Sequence, residues 1–407
     1  MKSMDDRRYY GLDALRGGMM MLGIVLHGAT FYLVSPPTTM PIPTDRNNAY
    51  VFDLLFHFIH SFRMPTFFVL AGFFTSLLVE KRGLWGTYKN RAARVLAPFL
   101  AGLVTVLPLA GLFMLDFMLS VRFGVHDILP DPLLLRQLGK ELREAGVPLG
   151  QPALGHLWFL YYLCFFYLLI PFCQFLVKGS LAIQPRLRSL LASRVALVPL
   201  AIYTAVTLWP FRGGQVHEGF IFITPHVPSL IYYGSFFVFG YVFHFYSDFL
   251  VGLGRYVPWC AALALLLFPL SLYVTHLEHV AVAPAFGNHL LAVLVHGFCT
   301  WTLICLFIGS ALRYFDYESP WILYISQSSY WVFLAHLPAA AFAGWWLVPY
   351  DLPAIVKFLC VTTFTTVVCF VTYHYWVQCT WISAFLNGRR FDLDWPWRED
   401  RRNRPQV

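Results

Sequence analysis

Charged residues are scarce in this chain. Asp, Glu, Lys and Arg make up 12% of its 407 residues, whereas apolar residues make up 58%. A soluble domain has about 25% charged residues, so the composition argues against one large soluble domain. It predicts repeated segments that cross a membrane, with the lipid bilayer as the main partner of the chain.

The sequence also lacks the patterns of metal sites, disulfide frameworks and nucleic-acid surfaces. Its eight cysteines all fall inside apolar segments and have no metal-ligand spacing. The net charge is +8, but the lysines and arginines stand in short runs between apolar stretches, as topology signals do. We therefore expect no metal and no nucleic-acid partner. The sequence does not indicate an oligomeric state.

Ten apolar stretches approach the roughly 20 residues that are needed to cross a bilayer. Of the 29 lysines and arginines, 21 fall in the segments on one side and six on the other, which predicts both termini in the cytoplasm. The predicted fold is all-α, a polytopic membrane helix bundle of about ten transmembrane helices over residues 1–386. A charged cytoplasmic tail, 387–407, follows it and is expected to be disordered. The ten stretches are 13–34, 51–79, 95–119, 153–177, 195–210, 228–247, 257–275, 289–312, 321–346 and 353–386.

The first stretch places polar groups on one helical face. Arg16 and His27 stand eleven residues apart, which is about 1100° of rotation and within roughly 20° of a common face, with Met20 and Gly23 between them. Ionisable groups at membrane depth tend to mark a functional site. An imidazole takes a proton from a hydroxyl near neutral pH, so His27 is a candidate general base. Packing against a neighbouring helix is the alternative.

The second stretch has Asp53, His57 and His60 on one face, and a carboxylate four residues before an imidazole is placed to orient it. We predict contact with substrate, with packing as the alternative. Zinc is a weaker alternative, because three side chains of one helix line up along its axis instead of converging. Arg91 and Arg94, three residues apart, suit a phosphate group, although arginines at an inner membrane edge are also common.

Two later segments contain aromatic and histidine residues near predicted helix ends. GHLWFL (155–160) contains His156 and Trp158, and SSYWVFLAH (328–336) ends on His336, at a depth similar to that of His27. We predict that these three side chains contact substrate.

Five short sequence elements follow one another over residues 11–336. They are GLDALRGGMMMLGIVLH, SFRMPTFFVLAGFF, RAAR, HLWFL and SYWVFLAH. In these elements the chain resembles the acyltransferase 3 superfamily of membrane O-acyltransferases. HSFRM and HLWFL are similar to the branch that succinylates periplasmic glucans. The resemblance implies an enzyme of the bacterial inner membrane that has no permanently bound cofactor. It would move an acyl group, succinyl in that branch, from cytoplasmic acyl-coenzyme A to a hydroxyl of an extracytoplasmic glucan or other glycan.

The resemblance also implies roles for single residues. It makes His27 the base and Arg16 its companion at the coenzyme end, and it makes Arg91 and Arg94 coenzyme contacts. The alternative function is a proton-coupled transporter of a small anionic solute, in which histidines relay protons and arginines hold the anion.

Overall fold

The computed structural model describes residues 9–37, 44–127, 131–144, 153–181, 184–191, 193–216, 222–280 and 285–393. These ranges are helical almost throughout and contain no β-strand, only an antiparallel bridge between Ala153 and Phe222. The helices are α1 Tyr10–Thr30, α2 Tyr50–Arg91, α3 Ala97–Val104, α4 Val106–Phe123, α5 Pro132–Glu144, α6 Trp158–Leu168, α7 Ile170–Leu181, α8 Gln184–Leu191, α9 Leu197–Leu208, α10 Val227–Phe243, α11 Ser247–Gly252, α12 Val257–Val280, α13 Phe286–Tyr314, α14 Pro320–Leu347, α15 Ala354–Thr372 and α16 Trp381–Asn387.

The all-α fold is confirmed over the described ranges, and a helix occupies each of the ten predicted stretches. Over the described ranges, five helical segments are long and apolar enough to cross a bilayer, and a sixth is added if α6 and α7, which meet at a 53° bend, form one span. The count is below ten partly because α9 and α10 have only 12 and 17 residues. Such lengths fall short of the roughly 20 residues that a straight crossing needs.

A glycine divides the long helix α2. Gly83 has φ 67° and ψ 175°, a backbone conformation that is essentially restricted to glycine, so the helix axis breaks there. A π-helical turn, Ala92–Leu96, then leads into α3. The predicted loop between the second and third stretches is thus a kink followed by more helix. Arg91 is the last residue of α2, and Arg94 lies in the π-helical turn that follows it.

The centre of the bundle is formed by very close helix packing. A Cβ atom on Gly72 of α2 would lie 2.0 Å from the carbonyl oxygen of Phe237, and one on Gly240 of α10 would lie 1.9 Å from that of Val69. Backbones approach this closely only where small residues meet, as is typical of membrane helix pairs. The buried ring of Phe68 contacts aromatic rings of both α6 and α10. α2 also packs on α1, and α1 packs on α14.

A buried ion pair connects the segment before α2 to α15. The ammonium nitrogen of Lys357 lies 2.8 and 3.0 Å from the two carboxylate oxygens of Asp45, and both residues are at most 1% exposed. The backbone N–H of Asp45 donates to the carbonyl oxygen of Phe31 at the end of α1. The pair therefore holds three parts of the chain together at one end of the bundle.

Removing one partner of this pair should destabilise the fold strongly. Asp45→Ala leaves the Lys357 ammonium buried without its counter-charge, which costs about 3–5 kcal/mol of unfolding free energy. The matched control is Arg46→Ala, because Arg46 pairs with Asp351 at 3.9 Å with side chains 62% and 84% exposed, and such pairs contribute about 0–1 kcal/mol. Unfolding of both variants in detergent measures the difference. Equal losses would contradict a stabilising role for the buried pair.

Candidate functional site

A cavity of about 670 Å³ lies between α1, α2, α6, α14 and the chain that follows α16. Five arginines line it, and no Asp or Glu is among the described residues that do so. A cavity with one sign of charge concentrates counter-ions of the opposite sign, so this one suits a ligand with several negative charges. The five are Arg16, Arg82, Arg91, Arg94 and Arg389.

Neighbouring helices hold the Arg16 and Arg91 side chains in place. Arg16 donates to the hydroxyl of Ser326 on α14 at 2.6 Å and lies 3.4 Å from the carboxylate of Asp13. Arg91 places its guanidinium 5.4 Å from the centre of the Tyr167 ring. Its Nη2 lies 3.5 Å from the carbonyl oxygen of Phe74. Both guanidinium groups line the cavity, as a contact to a bound anion requires.

Arg94 also lines the cavity, but unlike Arg16 and Arg91 it binds the backbone of α16. Its Nη1 donates to the backbone carbonyls of Ala384 and Phe385, the second at 2.7 Å. These carbonyls belong to the last turn of α16, where a helix leaves carbonyl groups without intrahelical partners. Arg94 therefore caps α16 as well as adding positive charge to the cavity.

A second, smaller pocket of about 20 Å³ contains three histidines. The ring centroids of His27 and His336 are 5.1 Å apart, and those of His156 and His336 are 5.3 Å apart. Met20, Phe67, Phe159 and Phe333 line both this pocket and the arginine cavity. The two spaces are thus neighbours, separated by four apolar side chains.

The hydrogen bonds of His336 indicate its tautomer. Its Nδ1 lies 2.9 and 2.8 Å from the carbonyl oxygens of Val332 and Phe333, so Nδ1 carries the hydrogen. In the neutral ring Nε2 then has a free lone pair, and this buried atom has no hydrogen-bond partner among the described residues. Nε2 can therefore accept a proton or a hydrogen bond from a ligand.

Sequence reasoning missed Arg63, which also lines the histidine pocket. Its side chain is 6% exposed, and Nε donates to the carbonyl oxygen of Met19 at 2.9 Å. The guanidinium packs against Gly23, where a Cβ atom would lie 2.4 Å from Nη2. The signal in the sequence was an arginine inside an apolar stretch, a position where charges are costly and usually functional. Its fixed positive charge favours an anionic group in this pocket.

The structure brings most of the predicted site residues together. His27, His156, Trp158 and His336 line the histidine pocket, whereas Arg16, Arg91 and Arg94 line the arginine cavity. Met20 belongs to both, so the stripe predicted on α1 from Arg16 to His27 runs from one space to the other.

Three predicted substrate contacts lie outside these two spaces. The Asp53 carboxylate accepts hydrogen bonds from the backbone N–H groups of Val34 and Ser35, which is a different role from the predicted orientation of His57. The ring of His57 instead contacts the side chain of Gln215 at 3.2 Å. His60 donates to the carbonyl oxygen of Val216 at 2.6 Å. Both histidines therefore connect α2 to the segment after α9. In the part of the chain that the structure describes, no three His, Cys, Asp or Glu side chains are arranged to hold a metal ion.

Filling the gap at Gly23 should disturb the histidine pocket. Gly23→Ala places a methyl group where the Arg63 guanidinium lies, so we expect a lower melting temperature even though alanine favours helices. Gly18→Ala is the matched control on the same helix, because nothing lies within 4 Å of its added Cβ, and it should be neutral or stabilising. Thermal unfolding in detergent tests both variants. A Gly23→Ala protein as stable as Gly18→Ala would show that the contact with Arg63 is not tight.

The chain is similar to known proteins over most of its length. A family model described as an acyltransferase domain matches residues 9–374. Curated relatives named glucans biosynthesis protein C, from Escherichia coli strain K12 and from Escherichia coli O1:K1, are 24% identical over 393 residues. The alignment covers 94% of this chain and 95% of each relative. No solved structure matches the chain.

Proposed function

The chain belongs to the acyltransferase 3 family, and from this membership we propose that it transfers an acyl group from cytoplasmic acyl-coenzyme A to a hydroxyl of an extracytoplasmic glycan. The proposal rests on one observation, that two cavities with different lining residues adjoin each other. An arginine-lined cavity suits the phosphates of the donor, and the adjoining pocket holds three histidines that suit proton transfer. Family membership favours this activity over a transporter.

The cavity fits a coenzyme A nucleotide in size and charge. Ligand sites commonly measure about 300–1,000 Å³, and the cavity volume of about 670 Å³ lies within that range. One guanidinium group can donate two parallel hydrogen bonds to the oxygens of a phosphate group. Arg16, Arg91 and Arg94 would bind the donor phosphates in this way and balance their negative charge. The pantetheine arm would pass Met20 and the three phenylalanines to bring the thioester to His27.

The chemistry requires a base and a route for one proton. His27 removes the proton from the acceptor hydroxyl while the oxygen attacks the thioester carbon. The carbon–sulfur bond then breaks, and the coenzyme thiolate receives the proton back from the imidazolium, which leaves an ester and free thiol. His336, through Nε2, and His156 would hold the acceptor hydroxyl, which is supported by their position in the same pocket. Trp158 adds an apolar wall.

Succinyl is the acyl group that we propose, and a glucan is the proposed acceptor. A succinyl group ends in a carboxylate, and Arg63 offers that carboxylate a buried guanidinium beside His27. The relatives' name, glucans biosynthesis protein C, supports a glucan acceptor.

For the topology we propose ten crossings of the bacterial inner membrane, with both termini in the cytoplasm. Reporter fusions after Arg82, Arg188 and Arg390 should then report the cytoplasm, and fusions near Asp45 and Arg136 should report the outside, because lysines and arginines accumulate on the inner side. A third predicted outer position, Glu218, lies outside the described residues. A cytoplasmic signal at Arg136 would overturn the proposed number of crossings.

Removing the proposed base should stop the reaction without unfolding the protein. His27→Ala should lower turnover by about 10²–10⁴-fold, since a positioned base contributes that much. The matched control is His244→Ala, which removes another half-buried histidine, one that contacts Glu80 away from both spaces. The measurement is release of free coenzyme A from succinyl-coenzyme A in the presence of a glucan. Near-normal turnover in a folded His27→Ala protein would exclude His27 as the base.

A further inference from the structure

We propose that Arg389 binds the 3′-phosphate of coenzyme A and that Arg94 positions the turn that carries Arg389. This inference rests on the donor proposed above. It concerns residues 388–391, the exit turn, which directly follows α16 and adds Gly388, Arg389 and Phe391 to the lining of the arginine cavity.

The exit turn is fixed by hydrogen bonds to the bundle. The hydroxyl of Ser383 donates to the carbonyl oxygen of Arg389 at 3.1 Å, and the backbone N–H of Phe391 donates to the carbonyl oxygen of Gln378 at 2.9 Å. Just before the turn, the Asn387 side chain donates to the carbonyl oxygen of Gln327 on α14 at 3.2 Å. Arg389 therefore extends from a supported backbone.

Arg94 packs directly on the first residue of this turn. Gly388 ends α16 with φ 87°, a left-handed conformation that favours glycine. A Cβ atom there would lie 3.0 Å from Nη2 of Arg94, while Nη1 of the same guanidinium binds the last carbonyls of α16. Arg94 therefore both lines the arginine cavity and contacts the residue that begins the exit turn.

The exposure of the five arginines orders them along the cavity. Arg16, Arg91 and Arg94 are half-buried, whereas Arg82 and Arg389 are exposed and so lie at the mouth. The thioester must reach His27 at the other end. The diphosphate, which adjoins the pantetheine arm, then lies among the half-buried arginines. The 3′-phosphate is on the ribose at the far end of the donor and lies at the mouth, where Arg389 is.

The test compares coenzyme A with 3′-dephospho-coenzyme A, titrated by calorimetry into the full-length protein in detergent. Wild type should bind coenzyme A more tightly. Arg389→Ala should weaken coenzyme A binding about 10-fold, as expected for the loss of one charge-assisted hydrogen bond in a wet site, and leave binding of the dephospho form unchanged. Arg389→Lys should keep part of the difference. The matched control is Arg390→Ala, since Arg390 is the exposed neighbour that does not line the cavity, and it should bind like wild type.

Two further variants separate contact from positioning. Arg91→Ala should weaken both ligands equally, because the diphosphate is common to them. Arg94→Ala should also reduce the preference for the 3′-phosphate, since the exit turn loses one of its supports, whereas an Arg94→Ala protein that keeps the full preference would contradict the positioning role. If Arg389→Ala keeps the full preference, or weakens both ligands alike, the inference is wrong while the donor proposal stands. If wild type binds neither ligand, the donor proposal falls as well.

Discussion

The whole site depends on a guanidinium that is held deep in the helix bundle. A charge at membrane depth is costly, so Arg63 is tolerated only because its surroundings are built for it. The carbonyl oxygen of Met19 accepts from its Nε, and the missing side chain of Gly23 leaves room for its Nη2. Both partners belong to α1. The same contact therefore joins α1 to α2 beside the pocket that His27 shares with the other histidines.

In the proposed reaction, the arrangement would separate binding of the donor from acyl transfer. The donor phosphates would contact arginines in the solvent-accessible arginine cavity. Acyl transfer would take place among histidines in a pocket with almost no room for water. Met20 and three phenylalanines divide the two environments. Excluding water strengthens electrostatic interactions and protects a thioester from hydrolysis. The same four side chains would have to move aside for the pantetheine arm of the proposed donor.

Local patterns in the sequence predicted what depends on a single helix. The face of α1 from Arg16 to His27 follows from 3.6-residue periodicity, and in the structure Arg16, Met20 and His27 line the two adjoining spaces. Periodicity does not say which helices meet, so the contacts of His57 and His60 with the segment after α9 were not foreseen. The charged composition of the tail suggested disorder after residue 387. Composition does not reveal the hydrogen bonds that fix the exit turn in the structure. Residues 394–407 of that tail lie outside the described residues.

The central claim is that an acyl group crosses the membrane through this chain, from donor inside to acceptor outside. The most direct test seals succinyl-coenzyme A, labelled in the succinyl group, inside vesicles that hold the protein with its termini facing inward. A soluble glucan is supplied outside. We predict labelled glucan outside and free coenzyme A inside, with neither product formed by the His27→Ala protein. Label that reaches the glucan only when donor and acceptor share one side of the membrane would contradict the account.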